Sequence, residues 1–256
     1  MTRGQPSHFL LSHLSPVTRA SLLKRATPVE LPIRTVLYEE HSVPRYGYFL
    51  LSGLASVVTV MPDAKSAEVC FIGREGLVGS LHLLGPASLS TRCVMQFTGS
   101  AFRVPFRDLQ EAFHDCQEVR SGILEFAQMQ AAMCAYVAGC NRLHTTEQRL
   151  VRWLLMAQDL TGFDELDFTQ DYLSQMMATQ RTTVTLIAGS LQRRGLIRYS
   201  RGKIHVLNRT MLETAACMCY PAIKGLLVGL YRGGGPPGLA ARVGPPAVER
   251  PRSLTA

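Results

Sequence analysis

The chain has 256 residues, of which 46% are hydrophobic, and its 27 Lys and Arg exceed its 19 Asp and Glu to give a formal net charge of +8. This composition excludes a wholly disordered chain, and the length fits one large or two modest domains. The charge favours an acidic partner, with nucleic acid ahead of a membrane surface.

No apolar run approaches the roughly eighteen residues that a membrane span requires. The N-terminus leads into no signal-peptide core. We therefore expect a cytoplasmic protein with no membrane partner.

The first half of the chain predicts a leading helix followed by a β-rich domain. Apolar residues recur at helical intervals from Leu10 to Ala26. Beyond Val29 the segments become short, rich in β-branched and aromatic residues, and separated by Gly, Pro and Asp. Many short strands with such turns are typical of a β-sandwich or jelly roll. The predicted strands are Thr35–Tyr38, Tyr48–Leu51, Ala55–Val60, Ala67–Ile72 and Cys93–Phe97.

A long helical segment follows, from about Arg107 to Leu143, and two apolar stripes run along it. The bulky stripe, predicted to pack on the β-rich domain, consists of Phe126, Met129, Met133, Tyr136 and Cys140. The stripe of small residues would let a second copy of the helix approach closely, as in a coiled-coil seam. It consists of Ile123, Ala127, Ala131, Cys134, Ala138 and Asn141. We assign this second stripe to a homodimer interface; the alternatives are that both stripes are intramolecular or that the assignments are reversed.

The C-terminal half predicts an amphipathic helix over Glu147–Leu160, then two helices joined by a tight turn, and finally a hairpin. Thr169 is a favourable N-cap for the next helix, and Arg181 opens a further helix that ends near Gly195. Strands over Leu196–Tyr199 and Ile204–Leu207 complete the pattern. This is the order of a winged helix-turn-helix, which places one helix in the major groove of DNA.

Charge supports the same interpretation. Between Tyr172 and Leu212 there is no Asp or Glu, whereas seven residues are Arg or Lys. Such a local excess attracts phosphate backbones whatever the base sequence. The alternative is a helical core with a solvated basic face.

Three motifs in this half, Thr169–Met177, Arg181–Thr185 and Gly195–Ile197, resemble the DNA-binding domain of Crp/Fnr-type bacterial transcription regulators. Tyr48–Gly53 and Gly73–Gly79 resemble turns of the family's sensor domain. The resemblance implies an α+β fold with an N-terminal double-stranded β-helix (jelly-roll) sensor domain, a long dimerisation helix and a C-terminal winged helix-turn-helix. The corresponding boundaries are 1–118, 119–144 and 145–222, with a flexible Gly/Pro/Arg-rich tail over 223–256.

The resemblance also implies roles for individual residues. Arg181 matches a position where the family has an Arg that contacts guanine, and a guanidinium is bidentate to the O6 and N7 of that base. Thr182 and Leu186 stand where well-studied members carry an acidic residue and a second Arg, so the operator should differ from theirs. The full set predicted to contact DNA is Thr169, Gln180, Arg181, Thr182, Thr183, Thr185, Arg201 and Lys203.

The predicted effector pocket contains Gly79, Ser80 and Arg92. Relatives that bind cyclic nucleotides follow this glycine with a Glu that holds the ribose, whereas Ser80 stands here. We therefore expect an effector other than cyclic AMP, and the sequence identifies no cofactor. The expected partners are double-stranded DNA and a second copy of the chain, with RNA polymerase as a further candidate.

Two other functions remain open from the sequence. A cupin-like β-roll enzyme would need clustered His and carboxylate ligands, and the region offers only His41 and His82 without a His-x-His pair. An interaction module with a degenerate winged domain is the other. We expect no enzyme and no catalytic residue. We also expect no metal site, because the single intervening residue between Cys217 and Cys219 is a poor chelate spacing.

Overall fold

A computed structural model describes residues 8–63, 66–86 and 88–231. Eight strands form the N-terminal β-roll as two antiparallel four-stranded sheets, with strand orders β1-β8-β3-β6 and β2-β7-β4-β5. Apolar side chains of both sheets fill the space between them. The strands are β1 (Thr27–Leu31), β2 (Val36–Tyr38), β3 (Tyr46–Leu50), β4 (Leu54–Val60), β5 (Ser66–Ile72), β6 (Leu77–Val78), β7 (Thr91–Phe97) and β8 (Gly99–Pro105).

The predicted leading helix is divided in two, α1 (Phe9–His13) and α2 (Pro16–Leu23). Ser15 is the N-cap of α2, and Pro16 occupies its first turn. Proline cannot continue a preceding helix but suits the start of a new one. The break therefore has a local cause that apolar periodicity does not reveal.

The predicted helix from Arg107 to Leu143 is likewise two helices, α3 (Phe106–Asp115) and α4 (Gln117–Leu143), separated at Cys116. In the bulky stripe, Phe126, Met129, Met133 and Cys140 are all buried, and Cys140 contacts Cys217 of the C-terminal segment. Tyr136 is the exception and is 43% exposed.

The C-terminal domain has the predicted winged helix-turn-helix order. A capping box between Thr145 and Gln148 begins its first helix, and Gly162 ends that helix in a left-handed conformation. The strand β9 was not predicted; it is the third strand of the wing sheet β10-β11-β9. The elements are α5 (Thr146–Thr161), β9 (Glu165–Asp167), α6 (Gln170–Met176), α7 (Arg181–Arg193), β10 (Ile197–Ser200), β11 (Lys203–Val206) and α8 (Arg209–Ala215).

A further helix, α9 (Cys219–Gly229), crosses the boundary at which the flexible tail was predicted to begin. The helix is anchored beyond its end, where the Tyr231 hydroxyl donates to the Glu75 carbonyl at 3.0 Å. The Gly/Pro-rich part of the predicted tail lies outside the described residues. Among the described helices, none alone has the length and hydrophobicity of a membrane span, and the pair α8 and α9 reaches them only together, across a bend of 112°.

Aromatic side chains join the β-roll to the winged domain. The ring of Trp153 on α5 lies 5.7 Å from that of Phe71 on β5 and 4.4 Å from that of Phe168. Phe168 also contacts Phe97 of β7 at a centroid distance of 4.9 Å. Edge-to-face packing of this kind stabilises beyond simple burial, so the two domains share one continuous core.

Candidate nucleic-acid interface

The helix-turn-helix is built from α6 and α7. The Thr169 hydroxyl accepts from the amide of Tyr172 at 3.2 Å, which confirms the predicted N-cap. The chain then turns at Ala178, whose φ of 46° is left-handed. The Arg149 guanidinium donates to the carbonyl of Met177 at 2.7 Å and so ties this turn to α5.

The second helix, α7, separates a buried face from an exposed one. Val184, Ala188 and Leu191 are buried against the rest of the domain. The opposite face carries Arg181, Thr182, Thr185 and Leu186, all exposed. Leu186 is 73% exposed, a large apolar side chain with no core to join. An exposed helix face of this composition can make hydrogen bonds to base edges and apolar contacts with thymine methyl groups.

The remaining positions predicted on α7 have different surroundings. Gln180 is the exposed N-cap residue, and its carbonyl accepts from the amide of Val184 at 3.2 Å. Thr183 is only half-buried. The Thr185 hydroxyl donates to Gln170 Oε1 at 2.8 Å and lies 3.0 Å from the carbonyl of Arg181. Thr185 thus links α7 to α6, a role that the sequence analysis missed because Gln170 is distant in sequence.

The wing presents two basic residues with unlike surroundings. Arg201 and Gly202 occupy the hairpin turn with φ values of 51° and 79°, the left-handed pair of a tight two-residue turn. Arg201 is exposed and forms no ion pair with a described residue. Lys203 instead pairs with Glu165, and with Asp167 at 3.7 Å. The hydrogen bond to Glu165 raises the pKa of Lys203 and lowers that of Glu165.

The positive charge between Tyr172 and Leu212 is therefore less uniform on the structure than the sequence alone indicates. Acidic residues from neighbouring segments offset part of it, since Arg194 pairs with Glu147 at 2.6 Å and Arg209 with Asp159 at 2.6 Å. Arg193, Arg198 and Arg201 form no ion pair within the part of the chain that the structure describes. The charge that remains for phosphate contacts lies on the outer side of α7 and on the wing.

The exposed stripe of α4 differs from the one predicted. Of the predicted dimer residues, Ala131, Ala138 and Asn141 are exposed, Cys134 is half-buried, and Ile123 and Ala127 are buried. One set of exposed positions recurs at alternating steps of three and four, the spacing of a coiled-coil seam. It consists of Leu124, Gln128, Ala131, Ala135, Ala138 and Arg142. At about 100° per residue, this stripe lies about a fifth of a turn from the predicted one.

The interior of the β-roll is filled by its own side chains around the predicted pocket. Gly79 is left-handed with φ 94°, and Ser80 follows it in a short turn of 3-10 helix. The Ser80 hydroxyl lies 3.4 Å from Gln130 Oε1 on α4, and the Gln130 amide donates to Cys70 Sγ at 3.2 Å. Nearby, a Cβ on Gly76 would overlap the ring of Phe126. Gln130 thus contacts Ser80 of the predicted pocket, and the sequence analysis did not identify it.

Arg92 does not join these residues. Alternation along β7 places Cys93 in the interior and Arg92 on the opposite face. There Arg92 Nε lies 3.4 Å from Glu39 Oε2 and borders a cleft between the β-roll and α6, with a volume of about 520 Å³. The expectation that Arg92 shares an interior pocket with Ser80 is therefore not met.

The histidines that a cupin-like enzyme would require are also apart. The His41 ring contacts the Ser88 hydroxyl at 3.0 Å on the surface. The His82 ring lies 4.8 Å from that of Tyr38. The structure does not bring them together as metal ligands.

Two family models match the chain and together cover more than half of it. The cyclic nucleotide-binding domain matches residues 28–116, and the Crp-like helix-turn-helix domain matches residues 148–215. The chain belongs to the Crp/Fnr family of transcription regulators. No curated protein sequence matches it.

Solved structures with the same fold come from this family. A putative regulator of the Crp/Fnr family from Eubacterium rectale has 14% identity and a TM-score of 0.64, over 80% of this chain and 96% of that one. The c-di-GMP-responsive global regulator CLP of Xanthomonas campestris has 15% identity and a TM-score of 0.64, over 76% and 100%. FixK2 of Bradyrhizobium japonicum has 15% identity and a TM-score of 0.63, over 75% and 98%. The family match gives no support to the enzyme alternatives, because such regulators are in general not enzymes.

Proposed function

We propose that the protein is a homodimeric, sequence-specific regulator that reads a near-palindromic DNA operator. The main support for this proposal is the exposed outer face of α7, which carries Arg181, Thr182 and Leu186. The opposite face of the helix is buried through an apolar stripe. A recognition helix docks in this way into one major groove.

The proposal assigns distinct roles to the DNA-facing residues. Arg181 reads a guanine, and Leu186 with the methyl group of Thr182 contacts thymine methyl groups. Gln180, Thr183 and Arg201 contact the backbone. Thr169 and Thr185 chiefly position the helices, since their hydroxyls are used within the protein.

The exposed stripe of α4 supports the proposed homodimer. Ala131, Ala135 and Ala138 are small, exposed and spaced as a seam, so two copies of the helix can approach closely. Two recognition helices related by this axis would enter successive major grooves about 34 Å apart. Operator position and contacts with RNA polymerase would then decide between activation and repression.

The effector in this proposal is not cyclic AMP. Ser80 replaces the carboxylate that would hold the ribose, and its hydroxyl contacts Gln130 Oε1. Arg92 lies outside the interior of the β-roll, beside Glu39. Saturating cyclic AMP should therefore change neither the melting temperature nor the DNA affinity.

The deciding experiment selects bound sequences from random duplex DNA and scores them for symmetry. An inverted repeat with half-sites about one helical turn apart supports the dimeric regulator. Enrichment of a single unrepeated half-site would refute the dimer, and binding with no enriched motif would refute sequence-specific recognition.

A further inference from the structure

Four side chains with metal-binding atoms converge where the dimerisation helix meets the C-terminal helices. The Sγ atoms of Cys140, Cys217 and Cys219 and the imidazole of His144 all lie within 4.8 Å of one another. The three cysteines are buried and His144 is half-buried. Cys217 and Cys219 alone have a poor chelate spacing, but Cys140 and His144 complete a set of four ligand groups.

The fold explains why these residues meet. Cys140 lies in the last turn of α4, and His144 is the C-cap residue of that helix, four positions later. Residues four apart lie on the same helix face. Cys217 and Cys219 come from the bend between α8 and α9, where the axis turns by 112°. The bend directs both thiols towards the end of α4.

Two of the ligand–ligand distances match those around one tetrahedral ion, and all of them lie within 4.8 Å. Zinc binds thiolate sulfur at about 2.3 Å and imidazole nitrogen at about 2.0–2.1 Å, so tetrahedral geometry separates two sulfurs by about 3.8 Å and sulfur from nitrogen by about 3.6 Å. Cys140 Sγ and Cys217 Sγ are 3.5 Å apart, and Cys219 Sγ lies 3.6 Å from His144 Nδ1. An iron–sulfur cluster distributes its cysteines over several irons, which requires wider spacing.

We propose that Cys140, His144, Cys217 and Cys219 form a structural zinc site. A Cys₃His set is closed, with no position left for substrate, which is the arrangement of structural rather than catalytic zinc. Three thiolates and Zn²⁺ carry a net charge of −1. Arg149 and the buried Arg152 both interact electrostatically with Cys140 and offset that charge.

The site would fasten the C-terminal helix α9 to the junction between α4 and α5. His144 ends α4, and Thr145 directly caps α5, so the metal would hold the connection between these two helices. The same ion would fix the start of α9, whose far end is anchored where the Tyr231 amide donates to Glu125 Oε1 at 2.6 Å. Metal binding then stabilises the relative position of the two domains.

The test measures metal in the full-length protein, purified under reducing conditions without chelator. We expect about one zinc per chain, since four ligands complete one tetrahedral ion. Cys219→Ser and His144→Ala should lose that zinc. Cys116→Ser is the matched control, because Cys116 lies outside the cluster at the N-cap of α4, where serine is favoured.

A second measurement keeps the proposal testable if a ligand variant does not fold. The wild-type protein, stripped of metal and titrated with Co²⁺, should show the intense visible bands of tetrahedral cobalt with thiolate ligands, and Zn²⁺ should abolish them. Folded wild-type protein that retains no zinc and gives no such bands would refute the site. Iron with acid-labile sulfide, or a Cys140–Cys217 disulfide in the reduced preparation, would also refute it.

Discussion

The indole nitrogen of Trp153 on α5 donates a hydrogen bond to the carboxylate of Glu68 on β5, so one polar contact joins the winged domain to the β-roll. The other oxygen of Glu68 accepts from the Ser56 hydroxyl. Trp153 and Glu68 are both buried, and burial raises the pKa of Glu68 to about 7. A titratable group thus lies within the interface between the domains.

This pKa predicts a pH dependence of stability with a definite sign. Because the folded-state pKa of Glu68 lies above the ordinary value of 4.5 for a Glu side chain, the folded protein binds more protons than the unfolded chain between about pH 4.5 and 7. The contribution of Glu68 to the free energy of unfolding therefore falls as the pH rises through that window, by up to about 3 kcal/mol, and is constant above it.

Glu68→Gln tests this expectation. The amide oxygen of the glutamine still accepts the hydrogen bond from Trp153, but the buried charge is gone. In denaturant titrations, the free energy of unfolding of the variant should therefore exceed that of the wild type by more at pH 8 than at pH 5. Glu75, whose pKa burial also raises to about 7, contributes a similar slope that the substitution leaves in place. Trp153 is the only tryptophan, so its fluorescence should titrate near pH 7 in the wild type alone. Equal stability gains at both pH values would contradict the assignment.

Replacing Arg181 should change base preference, not affinity alone. Arg181→Ala removes a bidentate contact with guanine and is expected to weaken specific binding by about 1–3 kcal/mol and to relax one operator position. Arg193→Ala is the charge-matched control on the same helix, about 18 Å further along its axis. The control should weaken all sequences alike. An unchanged preference for Arg181→Ala in competition binding would refute the docking.

The two basic residues of the wing should differ in their salt dependence. Arg201 forms no ion pair with a described residue, whereas Lys203 is already paired with Glu165. Arg201→Ala should therefore reduce the slope of log K against log salt by about 1, the effect of losing one phosphate contact. Lys203→Ala should change it less. Equal reductions would show that Lys203 leaves its acidic partners to bind phosphate.

The sequence predicted the strands and helices whose apolar pattern is regular, and failed where a local or distant group decides. Strand β1 was missed because Pro28 and Glu30 interrupt its pattern, although it pairs fully with β8. The exposed stripe of α4 lies about a fifth of a turn from the stripe predicted for the dimer, because an apolar pattern alone does not reveal which side of a helix its own chain covers. Ala131 and Ala138 were still identified, since they lie near the edge shared by both stripes.

Contacts between residues distant in sequence account for the other differences between the predicted sites and those in the structure. The side of β7 on which Arg92 lies depends on strand register, which a single sequence leaves open. Cys140 and Cys217 are 77 residues apart, so their approach follows from the docking of α9 on α4 and not from any motif. By contrast, the N-cap at Thr169 and the tight turn between the two helices are local features, and both were predicted correctly.

The turn of the helix-turn-helix offers a stability prediction. Ala178 has φ 46°, a conformation that costs an alanine about 1–2 kcal/mol. Ala178→Gly should relieve that strain and, after the entropy of glycine in the unfolded chain, stabilise by up to about 1 kcal/mol. Ala222→Gly within α9 is the control with the opposite expected sign, about 1 kcal/mol destabilising. A lower melting temperature for Ala178→Gly would show that the alanine side chain makes a compensating contact.

The dimer interface can be tested at the centre of the exposed stripe of α4. Ala135 is exposed in the isolated chain, and Ala135→Glu would place two carboxylates against each other across a close helix pair. We expect the variant to be monomeric by light scattering and to lose affinity for a two-half-site operator. Gln110→Glu, which adds the same charge at an exposed position on α3, should remain dimeric. Because Ala135 contributes nothing to the core of its own chain, a dimeric Ala135→Glu would place the partner on another face, with Ala127 and Cys134 of the originally predicted stripe as the next positions to substitute.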